Sequence, residues 1–267
     1  MAPGRRRVHQ SQRTPRSPPM QLALATWHEV EEYLRGSRGI IIPIGSTEQH
    51  GPNGLIGTDH LDAEFVAKGV GDRLGCLVAP TLTIGMSQHH LAFTGTITLR
   101  PTTLIAVVND VVTSLIRHGL ERFLFINGHG GNIAPVSTAF SEIYADVSLR
   151  AQTDSWPVRC KMVMWADGPR ARKLSKELYG DAEGSHATAS EVSLAQFYQP
   201  QHIKHAQMSP KVAPRSPAFY DSADYRRRFP DGRIGSDPSL SSPEHGERIY
   251  AAAVEDMVEM YQKFMGD

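Results

Sequence analysis

The sequence IIIPIGSTEQHGPNGLIGTD, residues 40–59, joins an apolar run to three potential metal ligands. The first five residues are apolar and mostly β-branched, which is typical of a strand buried on both faces of a sheet. Gly, Pro and Asn then indicate a turn. Glu48, His50 and Asp59 follow the strand. Carboxylates and an imidazole at the carboxyl end of a core strand are typical of metal sites in α/β enzymes.

Glu48 and His50 are two positions apart, so they face the same side of an extended segment. Thr58 is a plausible N-cap for a helix over residues 58–74. Asp59 would then lie in the first turn, where a negative charge is favourable. We expect Asp59 to bridge two metal ions. The alternative is that Asp59 only stabilises the helix start and that Glu48 pairs with an arginine.

The sequence NGHGGN, residues 127–132, has the same layout of an apolar run followed by a glycine-rich turn. Its glycines allow a sharp turn and a close approach of the backbone to a ligand. His129 would leave the strand end as a neutral imidazole ligand. The amides of Asn127 and Asn132 could fix the loop or bind a substrate carbonyl. Phosphate binding is the alternative, but the spacing of a dinucleotide fingerprint and a Walker lysine are absent.

A third candidate segment runs from Ser185, a plausible N-cap, into a helix predicted over residues 187–198. Glu191 lies five positions after His186, about 500° of helix rotation, so one helix face does not carry both. If they serve one site, His186 lies in the entry loop and Glu191 points in from the helix. The alternative is that Glu191 is an exposed residue on the helix surface and has no part in the site.

A fourth segment, residues 87–96, is a polar loop with two adjacent histidines. Ser87 and His90 are candidate contacts to a substrate, and His89 is interpreted as a surface residue. The alternative is a loop without a part in chemistry.

Strand-like and helix-like segments alternate along the chain, which predicts an α/β fold with a mainly parallel central sheet and helices on both faces. Short apolar strands are predicted at residues 40–44, 77–80, 123–126 and 158–165. Residues 200–243 are rich in Pro, Ser, Arg and Asp and are interpreted as long loops that border the site or a subunit contact.

The chain has 28 basic and 28 acidic residues. Residues 1–19 contain five arginines and no acid, and are predicted to be a disordered basic tail before a single domain at 20–267. The mildly acidic remainder indicates neither a nucleic-acid nor a membrane partner. Two cysteines, without metal spacing, and no apolar run of membrane-spanning length predict a cytoplasmic protein.

Together, these motifs resemble those of the creatininase (creatinine amidohydrolase) family, from about Thr26 to Met260. The resemblance implies a three-layer α/β/α fold, hydrolysis of a non-peptide or cyclic amide C–N bond, and a homo-oligomer, commonly a hexamer. It also implies a divalent metal site, usually with two ions. By position, the metal ligands it implies are Glu48, His50, Asp59 and His129.

The chain departs from the family pattern at several positions. Gly130 and Gly131 stand where creatininase has Tyr-Glu, so one metal-ligand glutamate is missing, and Glu191 is the candidate replacement. Asn53 stands where many members have histidine, and two residues of the motif at 186–193 differ. Because of these departures, the resemblance does not identify the substrate.

We expect two divalent ions, Zn, Mn or Fe, to lower the pKa of a bound water to about 7. The resulting hydroxide would attack the carbonyl of a small-molecule amide. His186, at the position that transfers protons in creatininase, would protonate the departing nitrogen, and Glu191 would assist. The rival interpretation is a non-catalytic or single-metal binding protein on the same scaffold.

Overall fold

The computed structural model describes residues 21–150, 157–215 and 218–266, so the predicted tail at residues 1–19 lies outside the described part. The sheet has four strands in the order β2-β1-β3-β4, and every pairing between them is parallel. This confirms the predicted parallel sheet. The strands are β1 Gly39–Ile44, β2 Leu77–Val78, β3 Arg122–Asn127 and β4 Arg159–Met164.

Eight α-helices are present in the described part of the chain. They are α1 Trp27–Leu34, α2 Thr58–Leu74, α3 Pro101–Arg117, α4 Ile133–Ser148, α5 Pro169–Tyr179, α6 Ala189–Tyr198, α7 Ser222–Arg228 and α8 Pro243–Gly266. Across residues 21–150, 157–215 and 218–266, no helix is both long and apolar enough to cross a bilayer.

Hydrophobic side chains cover both faces of the sheet, which explains the continuous apolar strands. Ile41 and Leu124 belong to a core cluster that includes residues of α2, α5, α6 and α8. Ile40 and Phe123 belong to a second cluster on the opposite face, with residues of α3 and α4. Because neighbouring residues of a strand point to opposite faces, β1 and β3 supply both clusters. The α/β/α layering is therefore as predicted.

The register of the sheet brings the loops of interest to one edge. Ile44, the last residue of β1, pairs with Asn127, the last residue of β3, and Asn127 pairs with Met164 of β4. The segments that follow these strands therefore leave the sheet side by side, at its carboxyl edge. Glu48 and His50 follow β1, and His129 follows β3.

Two predicted N-caps are wrong, Thr58 for α2 and Ser185 for α6. Gly57, not Thr58, is the N-cap of α2, and the Thr58 hydroxyl donates back to the Leu55 carbonyl at 2.7 Å. Helix α6 begins only at Ala189, with Thr188 as its N-cap. A helix cannot start at the predicted residue 187, because Ala187 has a φ of 51° in the left-handed region.

The segment at 200–243 is more ordered than its composition indicates. It contains α7, whose N-cap Asp221 accepts a hydrogen bond from the backbone of Asp224 at 2.8 Å. Arg233 is fully buried in the same segment and donates to the carbonyl oxygens of Pro210, Lys211 and Ser236 at 2.8–2.9 Å. These contacts tie the segment into a folded cover rather than a set of open loops.

Candidate metal centre

Three ligand atoms from three parts of the chain meet at the carboxyl edge of the sheet. Nδ1 of His129 lies 3.3 Å from Oε1 of Glu48 and 3.1 Å from Oδ2 of Asp59. Glu48 follows β1, Asp59 lies in the first turn of α2, and His129 follows β3. All three residues are buried. The structure thus brings together three of the four predicted ligands at one point.

The loop after β3 reaches the start of α2 because residue 128 is glycine. A Cβ at Gly128 would collide with the backbone carbonyl of Asp59. Asn127 then shapes the turn, since its Oδ1 accepts from the His129 N–H at 3.0 Å and its Nδ2 donates to the His129 carbonyl at 2.7 Å. The imidazole of His129 is therefore aimed at Asp59 by the local sequence.

Hydrogen bonds to the far nitrogen of each imidazole leave the near nitrogen able to bind a metal. Nε2 of His129 lies 3.0 Å from the Met86 carbonyl, and Nδ1 of His50 lies 3.1 Å from the Glu48 carbonyl. A carbonyl can only accept, so each of these nitrogens carries the proton. The nitrogens left to bind a metal are therefore His129 Nδ1 and His50 Nε2, the two atoms that face Asp59.

The fourth predicted ligand, His50, belongs to a second cluster beside the first. Its Nε2 lies 3.0 Å from Oδ1 of Asp59 and 4.0 Å from Oε1 of Glu191. His50, His186 and Glu191 each offer one atom within 4.8 Å of the others. Asp59 contacts His50 with one oxygen and His129 with the other, so its carboxylate joins the two clusters.

Glu191 has two contacts that hold it at this place. Its Oε1 accepts a hydrogen bond from the Thr188 backbone, and the Thr188 side chain accepts from the Glu191 backbone at 3.2 Å. This reciprocal capping box fixes the first turn of α6. The side chain is only 15% exposed, so Glu191 is not the exposed helix residue of the alternative interpretation.

Burial and close charges shift the pKa values of these groups in opposite directions. Burial opposes the charge of Glu48, yet His129 and His90 hold the pKa of its carboxyl well below the usual range. Burial likewise opposes a charge on His50, but Asp59 and Glu191 raise its pKa to about 10. Burial and the nearby Asp59 raise the pKa of Glu191 to about 7, although His50 lowers it.

Gln49 organises two further imidazoles around Glu48. Nε2 of His186 lies 3.0 Å from the Gln49 backbone carbonyl and 2.8 Å from the Gln49 side-chain amide nitrogen. The same amide nitrogen also lies 2.9 Å from Nδ1 of His90 and 3.0 Å from the Gly232 carbonyl. Nε2 of His90 lies 3.2 Å from Oε1 of Glu48. Nδ1 of His186 lies 3.7 Å from the same oxygen of Glu48.

The predicted substrate contacts lie close to the clusters, but their polar groups are already engaged. Ser87 is buried, contacts Ser46 through its hydroxyl and lies 3.3 Å from Nε2 of His129. Asn132 donates to the Gly45 carbonyl at 2.9 Å and accepts from the Met86 N–H at 3.1 Å. Asn127 and Asn132 thus fix the loops, and their contact with a substrate stays a prediction.

Three residues that no sequence pattern singled out lie beside the candidate ligands. Gln49 lies between the candidate ligands Glu48 and His50 in the sequence, and this position was the only sequence feature that pointed to a place in the site. Tyr225 is fully buried, with its ring 4.5 Å from the His90 ring, and it lies in the segment read as loops. Asp62 is buried one turn after Asp59, and burial followed by the charges of Glu191 and Asp59 raises its pKa well above the usual range.

The interpretation of His89 as a surface residue is wrong. His89 is partly buried, and its ring lies 4.1 Å from that of His90 and 4.9 Å from that of Phe219. Burial and the neighbouring His90 lower the pKa of His89 to about 3, so its imidazole is neutral at physiological pH.

The donor set fits a divalent cation. Oε1 of Glu48 and Oδ2 of Asp59 are buried and receive no hydrogen bond of acceptable geometry, although imidazole nitrogens lie near them. Buried carboxylate oxygens of this kind require a partner. The separations of 3.3 and 3.1 Å from Nδ1 of His129 to the Glu48 and Asp59 oxygens match the roughly 3.3 Å edges of a tetrahedron with bonds of about 2.0 Å.

Comparison with known proteins agrees with this geometry. The sequence profile of the creatininase family, described as creatinine amidohydrolase, matches residues 23–261. The chain belongs to the creatininase family. A solved structure described as creatininase Mn has a TM-score of 0.79 and 25% sequence identity, over 93% of this chain and 99% of that one. The creatininase-like fold is thereby confirmed.

Two curated relatives differ in name and in extent of similarity. The mycofactocin precursor peptide peptidase of Mycobacterium ulcerans (strain Agy99) is 28% identical over 234 residues, 82% of each chain. The creatinine amidohydrolase of Pseudomonas putida is 35% identical over 113 residues, 40% of this chain and 44% of the relative. Of these two sequence matches, the one to the peptide peptidase spans most of both chains and the one to the creatinine amidohydrolase is local, whereas the structural match to creatininase spans nearly the whole chain.

Proposed function

We propose that this chain is a metal-dependent hydrolase of an amide C–N bond in a small molecule. The observation that carries the proposal is the meeting of Glu48, Asp59 and His129, whose buried carboxylate oxygens lack hydrogen-bond donors. The creatininase family supplies the reaction class. The same cluster on a protein that only binds its ligand is the rival function.

Two cations fit the arrangement better than one. Glu48, Asp59 and His129 would hold the first ion, and Asp59, His50 and Glu191 the second. Glu191 would thereby replace the glutamate that Gly130 and Gly131 lack. Mixed oxygen and nitrogen ligands suit Zn, Mn and Fe alike. When bound, such an ion lowers the pKa of water and polarises a carbonyl oxygen.

His186 is the residue that we assign to proton transfer. Burial and the charges of His90 and His50 hold its pKa well below the usual value, so the imidazole is neutral. Its Nδ1 lies 3.7 Å from Oε1 of Glu48, on the side of the candidate ligands. His186 would therefore first accept the proton lost by the attacking water at Nδ1, and then donate it to the departing nitrogen.

The surrounding side chains keep bulk water away from this chemistry. The rings of Tyr225 and Phe219 pack beside His89 and His90, and the Tyr225 hydroxyl donates to the Gly232 carbonyl at 2.8 Å. A water-poor site strengthens the charge interactions at Glu48 and Asp59.

The type of amide is a further part of the proposal. We expect a non-peptide or cyclic amide from the family resemblance. The peptide peptidase that is similar over 82% of this chain favours a second candidate, a peptide amide. A homo-oligomer, hexameric by resemblance, and a cytoplasmic location stay predictions.

A substrate screen tests the proposed function. Metal-loaded protein is incubated with cyclic amides, formamides and short peptides, in Zn, Mn or anaerobic Fe(II), and amine release is measured. We expect turnover of at least one class, abolished in Asp59→Asn and retained in Asp110→Asn, an exposed control on α3. Tight binding of an amide without turnover by metal-loaded wild-type protein would favour the binding protein instead.

A further inference from the structure

The imidazoles of His50, His89, His90, His129 and His186 lie in or beside the candidate metal centre, and that of His89 differs from the other four. In His50, His90, His129 and His186, both ring nitrogens face a polar protein group. His89 forms no hydrogen bond with any residue in the described ranges, and no proton is fixed on either nitrogen. The fold therefore fixes the position of the His89 ring, while neither ring nitrogen forms a hydrogen bond within the described residues.

The surroundings of His89 place it at the metal cluster rather than in bulk solvent. Its ring lies 6.3 Å from that of the ligand His129, with the two planes only 13° apart. On other sides it meets His90 at 4.1 Å, Phe219 at 4.9 Å and Tyr225 at 5.5 Å. His89 thus lies between a metal ligand and the aromatic side chains that cover the site.

The aromatic cover is itself held in place, which fixes the ring of His89. Tyr225 donates to the Gly232 carbonyl at 2.8 Å, and its ring also packs on Phe229 at 4.9 Å. The guanidinium of Arg226 lies 4.2 Å from the centre of the Phe93 ring, which ties α7 to the loop that carries His89. An imidazole fixed in this way loses little freedom when it hydrogen-bonds a ligand.

We propose that His89 is a substrate-contacting residue, which hydrogen-bonds a polar group beside the scissile amide. This inference rests on the proposed function. A neutral imidazole supplies either an N–H for a carbonyl oxygen or a lone pair for an amide N–H, depending on its tautomer. The substrate class it fits is an uncharged amide with a carbonyl, hydroxyl or N–H group next to the bond that breaks.

The alternative is that His89 only packs between aromatic rings. Two substitutions separate the roles. His89→Phe keeps an aromatic ring and removes both nitrogens, whereas His89→Asn removes the ring and keeps a donor and an acceptor. A packing role predicts that His89→Phe is harmless and that His89→Asn is destabilising. A contact role predicts a loss of ligand affinity in His89→Phe, with partial rescue in His89→Asn.

Acetohydroxamic acid, a small amide analogue that chelates metal ions, is the probe. Its dissociation constant is measured by calorimetry with Zn-loaded wild-type protein, His89→Phe, His89→Asn and the exposed control His118→Phe. We expect affinity about tenfold weaker in His89→Phe, as for one lost hydrogen bond, with unchanged metal content and Tm. For any amide that the screen finds, KM should rise by a similar factor with little change in kcat.

The outcomes distinguish the two proposals. If wild-type protein fails to bind the probe when loaded with metal, the proposed function is in error. If wild-type protein binds it and His89→Phe binds it equally well, the contact role of His89 is refuted and the proposed function stands. A loss of metal from His89→Phe would also refute the contact role, because the residue would then act through the ligands.

Discussion

Nε2 of His50 lies 3.0 Å from Oδ1 of Asp59, and this contact joins the segment after β1 to the first turn of α2. The other oxygen of Asp59 faces His129, so one carboxylate spans the two ligand clusters. The metal-binding hypothesis therefore depends on one side chain more than on any other. The position of the Asp59 side chain depends in turn on how closely the loop after β3 approaches the start of α2.

Gly128 is the residue that permits this approach, and its substitution should disrupt the centre. In Gly128→Ala the new Cβ would meet the Asp59 backbone, so either the loop or the start of α2 must shift. We expect a lower Tm, with destabilisation of about 1–3 kcal/mol, and loss of metal affinity. Gly130→Ala is the matched control, because no atom lies within 4 Å of its added Cβ. Equal metal affinity in the two variants would contradict the argument.

His186→Gln should separate proton transfer from metal binding. Glutamine cannot accept and then release a proton at neutral pH, so kcat should fall about 10²- to 10⁴-fold. The metal content, measured by mass spectrometry, should stay that of wild type, because Asp59, His50 and Glu191 remain. If the second ion is lost along with activity, His186 is a metal ligand and the proton-transfer role is wrong.

Metal binding should release protons over a wide pH range. Without metal, Asp59 and Glu191 raise the pKa of His50 to about 10 against the effect of burial, and Glu48 and Asp59 raise the pKa of His129 well above its usual value. His50 therefore holds a proton at pH 7–9 that a cation must displace, and His129 keeps its proton to a higher pH than a free imidazole does. Affinity should then rise with pH up to about 10 and fall as the pH decreases.

Calorimetry in buffers with different ionisation enthalpies measures this release directly. We expect at least one proton released per chain on Zn binding at pH 8, and less in His50→Gln, which cannot hold one there. A binding enthalpy that is independent of the buffer would show that the imidazoles are already neutral in the metal-free protein.

The sheet and the ligand cluster were predictable because each rests on local patterns. Residues 40–44 are continuously apolar since helices cover both faces of β1, and the same holds for β3. Parallel strands end at a common edge, so ligands that follow two of them must lie close together. The family resemblance and the three-layer fold followed from the same motifs and are confirmed by the comparisons.

The parts that could not be predicted depend on contacts between distant segments. Helix α7 has three arginines in seven residues and little apolar character of its own, and the contacts of Tyr225 with His89 and His90 hold it. The start of α6 was misplaced because His186 forms a bridge with Ile234, a pairing that no local pattern encodes. His89 was read as a surface residue because its cover comes from α7 and the segment before it.

Metal content measured by mass spectrometry tests the central claim most directly. Wild-type protein, Asp59→Asn and Asp62→Asn are purified without chelators, reconstituted with Zn or Mn, and dialysed. Asp62 is the matched control, because it is equally buried on α2 but lies outside the ligand clusters. We expect about two ions per chain in wild type and Asp62→Asn and none in Asp59→Asn. A metal-free wild type, or an Asp59→Asn protein with its full complement of ions, would contradict the account.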